Sequence, residues 1–474
     1  MDVSITKSIC VYPKLISDDP PKILTLSNLD RQCPSLMYMV FFYKSFDNGH
    51  LIDSVFSRLE SSLEATLSTW YPAAGRLSFS DGDDGKLLLN ILCNNAGAIL
   101  VQAVTQVKIS ELGDLSVYND FFENLVFKPA TTTTTDGNIT EMPLLVAQVT
   151  KFECGGYSIG MGSSHSVFDG ISAFEFFKAW ARESQLGGSK GAEAVVHERG
   201  KALLLMQNIE INPHYSTISN NNINPTAIHH LYQLISQKQQ QALLITSDDD
   251  QETNNNTDDL VFKTFRVSSA MIQSLRNKVA FGGDNPQKTD KLLSCSSFQL
   301  LAAHLWKVRT KALGVERERK VCLQFAVDIR KKMVPPLPKG FSGNGYVLAS
   351  IITTAGELEE QSHRYIIERI NETKNSINEE YVKAYIKALQ AKEQGTTSTL
   401  PPLPELTVVS DWTRIPFHTV DFFGEEAVYA SPLIPPVPHV AYFMQNPVHT
   451  GAVDLRIGLL PSLLPHFSHH FLNI

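Results

Sequence analysis

Apolar positions along the chain fall into short runs separated by polar, glycine-rich and asparagine-rich stretches, and two periodicities alternate. Period two predicts strands; the three-to-four spacing predicts amphipathic helices. Residues 36–43, LMYMVFFY, predict a core strand, too short to cross a bilayer. After them Leu51, Val55, Leu59 and Leu63 recur at helical spacing, and YPAAGRL at 71–77 ends that helix and turns the chain. Strand-like runs follow at 87–92, 99–104 and 144–152. The glycine-rich run Gly155 to Gly162 predicts another strand, leading through a tight polar turn into a helix from Ile171 on which Ile171, Phe174, Phe177 and Ala181 share a face. Asp169 is the predicted N-cap of that helix, and Gly170 gives the turn latitude.

Beyond 186 the pattern loosens. From Pro213 to Asp259 the chain carries asparagine clusters, a short helical stretch around 226–241 and the polar run SDDDQETNNNTDD, the composition of a surface crossover. Residues 260–267 predict a new strand, with a helix marked by Met271, Ile272 and Leu275 after it. SSFQLLAAHLWKVRTKAL predicts a buried helix in which Trp306 packs, and VCLQFAV at 321–327 a core strand. One or two helices are expected over 359–391, strand or loop over 401–412, and short strands such as AYFM and VDLRIGLL between 433 and 463. No internal repeat is present, so the reading is a two-domain α/β protein: 1–212, a crossover linker 213–259, and 260–474.

Composition narrows the functional classes. A chain of 474 residues with 43% hydrophobic positions supports two cores, and a formal net charge of -8 gives no support to a nucleic-acid partner. The six cysteines are dispersed without metal-ligand spacing, which points to reduced structural thiols and no metal site. The N-terminal MDVSITKSICVY has neither a signal pattern nor an arginine series, so no membrane association is expected and cytosolic residence is the default.

Candidate chemistry concentrates on the turn at His165. An imidazole at a strand end is suited to taking a proton from a hydroxyl or amine near neutral pH, while its neighbours lie in the core. In isolation an H-x-x-x-D pair reads as readily as a loop histidine and a helix cap.

The wider chain changes that weighting. HSVFDG at 165–170 resembles the HxxxDG signature of the plant BAHD acyltransferases. The resemblance extends through LSNLD at 26–30, YPAAGRL, SSFQLLAAHLW at 296–306, VDIRKKMVPPLPKGFSGN at 327–344 and SDWTRIPFHTVDF at 410–422. It implies two similar chloramphenicol-acetyltransferase-like domains with a channel between them, His165 as the catalytic base within it, and acyl-CoA as a co-substrate with no permanently bound cofactor. It also implies that Asp169 turns away from substrate and supports the loop through an arginine, here Arg330 of VDIR. The bacterial chloramphenicol acetyltransferases and peptide condensation domains resemble a double-histidine form of the signature, and Ser164 before His165 favours the single-histidine plant enzymes.

The second family signature, close to DFGWG, departs here. DFFGEE preserves Asp421 and Phe422 but places Phe423 where glycine is expected and Gly424 one position later. The resemblance gives this loop a structural, channel-shaping role, which Phe423, Glu425 and Glu426 alter without removing the histidine. Relatives that use shikimate or quinate resemble one another in carrying a cation upstream of this signature, whereas no Lys or Arg occurs from Glu393 through Thr413. Lys331 and Lys332 are alternatives for an anionic acceptor or for the coenzyme A phosphates. The expectation is transfer of an aromatic or hydroxycinnamoyl group to a small neutral alcohol by a monomeric enzyme. N-acylation of an amine, short-chain transfer and a non-catalytic metabolite-binding relative are the alternatives.

Overall fold

The computed structural model describes residues 2–15, 20–44, 52–81, 87–129, 139–185, 194–199, 203, 227–230, 260–281, 295–392, 403–435 and 440–474. The expected crossover 213–259 lies, apart from the helical residues 227–230, outside them. The chain divides into two units that interleave in sequence: Met1–Ile209 with Leu337–Gly345 and Ile415–Pro436, and Glu210–Pro336 with Tyr346–Arg414 and Val437–Ile474. Where the sequence pattern suggests two contiguous halves, two later segments thus join the first unit. The first of them, 337–345, is the end of the VDIR…GFSGN stretch.

In the first unit, strands β1 (Val3–Val11), β2 (Lys22–Leu24), β3 (Leu36–Tyr43), β4 (Arg76–Asp81), β5 (Leu87–Cys93), β6 (Ala98–Thr105), β7 (Leu145–Lys151) and β8 (Tyr157–Ser164) precede α2 (Gly170–Ser184). Helix α1 (Ile52–Thr69) follows β3. A six-stranded sheet runs β1-β6-β7-β8-β3 and is completed by Tyr429–Pro432, which pairs antiparallel with β3. Only β6 and β7 are parallel in it. A smaller sheet is β2-β5-β4.

Strand β8 is buried along its whole length, which explains its glycines. A Cβ on Gly160 would stand 2.0 Å from the Leu125 carbonyl oxygen, and one on Gly162 2.5 Å from the Tyr38 ring, so neighbouring chain can close over the strand only where side chains are missing. Helix α2 buries Phe174, Phe176, Phe177, Trp180 and Ala181, while Ile171 is only half-buried. Its Trp180 indole donates to Leu59 O and Ser62 Oγ of α1.

The second unit has its own six-stranded sheet, built from β9 (Val261–Val267), β10 (Lys320–Asp328), β11 (Tyr346–Thr354), β12 (Leu406–Trp412), β14 (Val440–Gln445) and β15 (Val453–Leu459), with Tyr429–Pro432 of the first unit counted as β13. Its order is β11-β10-β12-β14-β15-β9. Helices α3 (Ser269–Phe281), α4 (Ser297–Ala312), α5 (Ala355–Glu360), α6 (His363–Ser376), α7 (Glu379–Lys392) and α8 (Leu464–Leu472) belong to it. The expected one or two helices over 359–391 are α6 and α7, and a third, α5, precedes them: Thr354 and Ser362 each start a new N-cap and break the run. Trp306 is fully buried in α4, as a packing residue is. Among the described residues no helix is long and apolar enough to cross a membrane.

The packing of α4 against α6 and α8 passes through two imidazoles. His304 Nε2 donates to the Phe471 carbonyl (3.1 Å), and in the neutral ring Nδ1 accepts from His363 Nε2 (3.3 Å). Burial lowers the pKa of both, that of His363 to about 4 from 6.5. Since the unfolded chain binds these protons more readily, the stability they permit is complete above pH 6.5 and is lost as pH falls toward 4. Melting temperature is therefore expected to drop across this window and to drop less in His363→Gln; an unchanged slope in that variant would remove the pair as a cause.

Candidate active site

The turn that carries His165 follows directly from β8. Backbone pairing persists to its edge: Ser164 N–H donates to Leu144 O (2.8 Å) and His165 N–H to Ser35 O (3.0 Å). Val167 and Phe168 N–H both then donate to Ser164 O, which closes the turn. His165 is half-buried, whereas Ser164, Ser166, Val167, Phe168 and Asp169 are buried. The histidine is thus the most accessible residue of a turn whose neighbours are fixed in the core.

Asp169 caps α2 as expected, its Oδ1 accepting from Ser172 N–H at 2.9 Å. Its other oxygen accepts from Gly345 N–H at 3.0 Å. Gly170 is the first helical residue and does not adopt a positive φ; a Cβ there would meet Ile415 Cδ1 at 3.1 Å, so the requirement is for space and not for backbone freedom. Arg330 stands just beyond β10 in the second unit, its Nη1 3.2 Å from Asp328 Oδ1.

The segment 340–345 is stitched to this turn residue by residue. Val196 N–H donates to Gly340 O and Ser342 N–H to Val196 O, a short parallel pairing of 196 with 341. Gly343 N–H donates to Ser172 Oγ (3.1 Å), and Asn344 Nδ2 donates to His165 O (2.7 Å) and to Asp30 Oδ1 (3.0 Å). His197 links the same strap to the end of α1: its Nε2 donates to Thr69 O, and its Nδ1 accepts from Ser342 Oγ. Burial brings the His197 pKa down to about 4, so this ring is a neutral structural connector. Arg199 and Asp30 form a fully buried ion pair beside it.

Sequence reasoning did not single out Asp30, Arg199, His197 or Asn344. Asp30 ends LSNLD and Asn344 ends the GFSGN stretch, so both lay inside quoted motifs without an assigned role. Arg199 had no signal at all, lying between Lys190 and Lys201 in a stretch without periodicity.

The loop of the second signature docks at the other end of α2. Gln185 Nε2 donates to Asp421 Oδ2 (2.9 Å), and Phe423 N–H donates to Ser184 Oγ (3.2 Å). Phe422 is fully buried, edge-on to Trp180 and to Tyr43, whose hydroxyl donates to Val420 O (2.9 Å). Burial pushes the Tyr43 pKa well up, with Asp421 acting in the same direction, so the hydroxyl keeps its proton. Phe423 has φ 61° and ψ 17°, and Gly424 follows at φ 88°. The position at which the family signature expects glycine has a left-handed backbone while carrying a phenylalanine, a conformation that costs a side-chain-bearing residue roughly 1–2 kcal/mol. Partial compensation comes from Arg58, whose guanidinium lies 4.4 Å from the ring centroid and also donates to Ser184 O at 2.7 Å.

This geometry predicts a reversal of the usual order of substitutions. Phe423→Ala and Phe423→Gly both lose the ring and its stacking, but only alanine retains the Cβ penalty, so the glycine variant is expected to be the more stable by about 1 kcal/mol. Denaturant midpoints measure the difference; an alanine variant as stable as the glycine one would show that the loop relaxes out of this conformation.

Similar proteins place the chain in one family. The model of the Transferase family matches residues 1–473. Brassinosteroid-related acyltransferase 1 of Arabidopsis thaliana is 48% identical over 475 residues, 99% of this chain and 98% of that protein. Omega-hydroxypalmitate O-feruloyl transferase of the same plant is 29% identical over 95% of this chain and 88% of its own length. Among solved structures, vinorine synthase matches with a TM-score of 0.68 at 19% identity, over 98% of this chain and 96% of that one, a likeness of fold. The chain belongs to the Transferase family and is a plant BAHD acyltransferase, an enzyme that transfers acyl groups from coenzyme A thioesters.

Proposed function

We propose that His165 is the general base of this transfer and that the acceptor is a neutral alcohol. The observation that carries the first part is the contrast within the turn: a half-buried imidazole on a backbone whose N–H is bonded to Ser35 O and whose C=O is bonded to the buried Asn344. The imidazole takes the proton of the acceptor hydroxyl as its oxygen forms a bond to the thioester carbonyl carbon. Collapse of the tetrahedral intermediate breaks the carbon–sulfur bond, and the departing thiolate recovers the proton from the imidazolium. Asp169 does not touch substrate in this scheme; it holds the turn through its cap, through Gly345 and, in the same proposal, through a pair with Arg330. A carboxylate and a guanidinium form a directional charge-assisted contact, which suits a positional role. A cytosolic location belongs to the same reading.

The acceptor follows from desolvation. From Leu403 through Thr413 the chain carries no cation, and its one buried acid, Glu405, is held by Arg319 at 2.7 Å. Lys332 is not an open counter-charge either: its ammonium donates to the carbonyls of Lys374 and Ile377. A carboxylate brought into an apolar site without a partner loses several kcal/mol of hydration, whereas a neutral hydroxyl loses roughly 1–3. The name of the O-feruloyl transferase of Arabidopsis supports an O-acylated acceptor and an aromatic donor, and that of the other relative connects it with brassinosteroids. A brassinosteroid is therefore among the neutral alcohols worth testing first.

Two measurements check these readings. His165→Ala is expected to fold and to lose about 100- to 10,000-fold in single-turnover transfer, while Asp169→Asn and Arg330→Ala lose less and combine less than additively; near-normal transfer by folded His165→Ala would sink the base assignment, and full additivity the pair. With one hydroxycinnamoyl-CoA donor, kcat/KM is expected to be highest for neutral alcohols, a brassinosteroid included, then amines, then shikimate and quinate. Consistently faster turnover of either acid would overturn the acceptor reading alone.

A further inference from the structure

Resting on the reading of His165 as the base, we infer that Arg199 is a positioning residue of the reaction, a buried guanidinium that sets the path of the catalytic turn. Arg199 is fully buried, and its Nη1 donates to Ser166 O and its Nη2 to Val167 O, each at 2.7 Å. The carbonyl of His165 is taken by Asn344 Nδ2, also at 2.7 Å. Three consecutive peptide carbonyls, those of the histidine and of the two residues after it, are thereby held by side chains that arrive from distant parts of the sequence.

Both donors are anchored on one oxygen. Asp30 Oδ1 lies 3.2 Å from Arg199 Nη1 and accepts from Asn344 N–H (2.9 Å) and Asn344 Nδ2 (3.0 Å). Asp30 Oδ2 accepts from Ser27 N–H and Oγ, so the carboxylate is itself fixed. Gly343, at φ +140°, closes the slot: a Cβ there would stand 3.2 Å from the guanidinium carbon, so its backbone lies against the cation.

The arrangement is poorly suited to stability alone. Withdrawing a carboxylate and a guanidinium from water costs several kcal/mol each, and apolar residues of the same volume often serve the fold as well or better. What they cannot do is donate along two fixed directions to adjacent carbonyls. Lysine cannot do so either, because its ammonium is a point charge on a flexible stem. The planar fork of Arg199 specifies where the turn lies, and hence where the His165 ring is delivered.

The test compares three proteins: Arg199→Lys, the double variant Asp30→Asn/Arg199→Met, which leaves no buried charge without its partner, and His165→Ala. Folding is checked by cooperative melting, and kcat and KM are measured well below the melting temperature across pH. Both Arg199 variants are expected to fold, to keep KM for acyl-CoA and acceptor within about threefold, and to lose about 10- to 100-fold in kcat, the scale on which small misplacements of reacting groups act. The basic plateau of kcat is expected to fall with them, because pH cannot restore a displaced base. Wild-type kcat in either folded Arg199 variant, with His165→Ala inactive, would overturn this inference and leave the base assignment standing. Activity retained by His165→Ala would overturn the base assignment itself, and the inference with it. Unfolding of both Arg199 variants would also overturn it, by making the pair a determinant of stability.

Discussion

A residue that exchanges protons must face solvent or substrate while the backbone beneath it stays in the core, and a turn in the core leaves peptide groups that no strand or helix satisfies. In this protein the problem is solved by side chains. Arg199 and Asn344 hold the carbonyls of His165, Ser166 and Val167, and Asp30 holds both of them. Two short segments of the first unit bring these groups together: the strap 194–199 pairs with 340–342, and 342–345 crosses the start of α2. An unsatisfied buried polar group costs about 1–3 kcal/mol, so each of these bonds removes an alternative path for the turn as well as adding a contact.

Helix α2 joins the two family signatures. Asp169 at its N-terminus belongs to the first, and Ser184 and Gln185 at its C-terminus receive the loop of the second. Trp180 lies between, bonded to α1 and packed edge-on against Phe422. The altered residue of the second signature is accommodated locally. Phe423 has the left-handed backbone that glycine adopts freely, and Arg58 supplies a stacking partner that glycine would not need.

Two cations of the second unit are bonded within it: Arg319 donates to Glu405 Oε1, and Lys332 to carbonyls at the end of α6. Selectivity for an uncharged acceptor can arise from such internal pairing, because a cation already bonded to the protein gains little from a ligand carboxylate.

How much of this was legible beforehand differs by type of feature. Helical spacing was sufficient for α1 and α2, because a helix with one buried face writes its period into the chain, and unbroken apolar runs were sufficient for β3, β7 and α4, which are buried on more than one face. The Asp169 cap was legible for the same reason, its partner being three residues away. The family motifs identified the class of chemistry and pointed to His165 as the proposed base, since short motifs preserve residue type. The exchange of segments between the two units was not legible, nor was the left-handed conformation of Phe423, because both depend on what packs there. Least legible was the ion pair of Asp30 with Arg199, bridged to Asn344: these residues lie 169 and 314 positions from Asp30, in stretches with no period. The sequence by itself determined the elements and the family whose motif includes His165; only the tertiary structure decided which distant donors meet the carbonyls of that turn, because a buried hydrogen bond is specified by position in space and leaves no spacing in the chain.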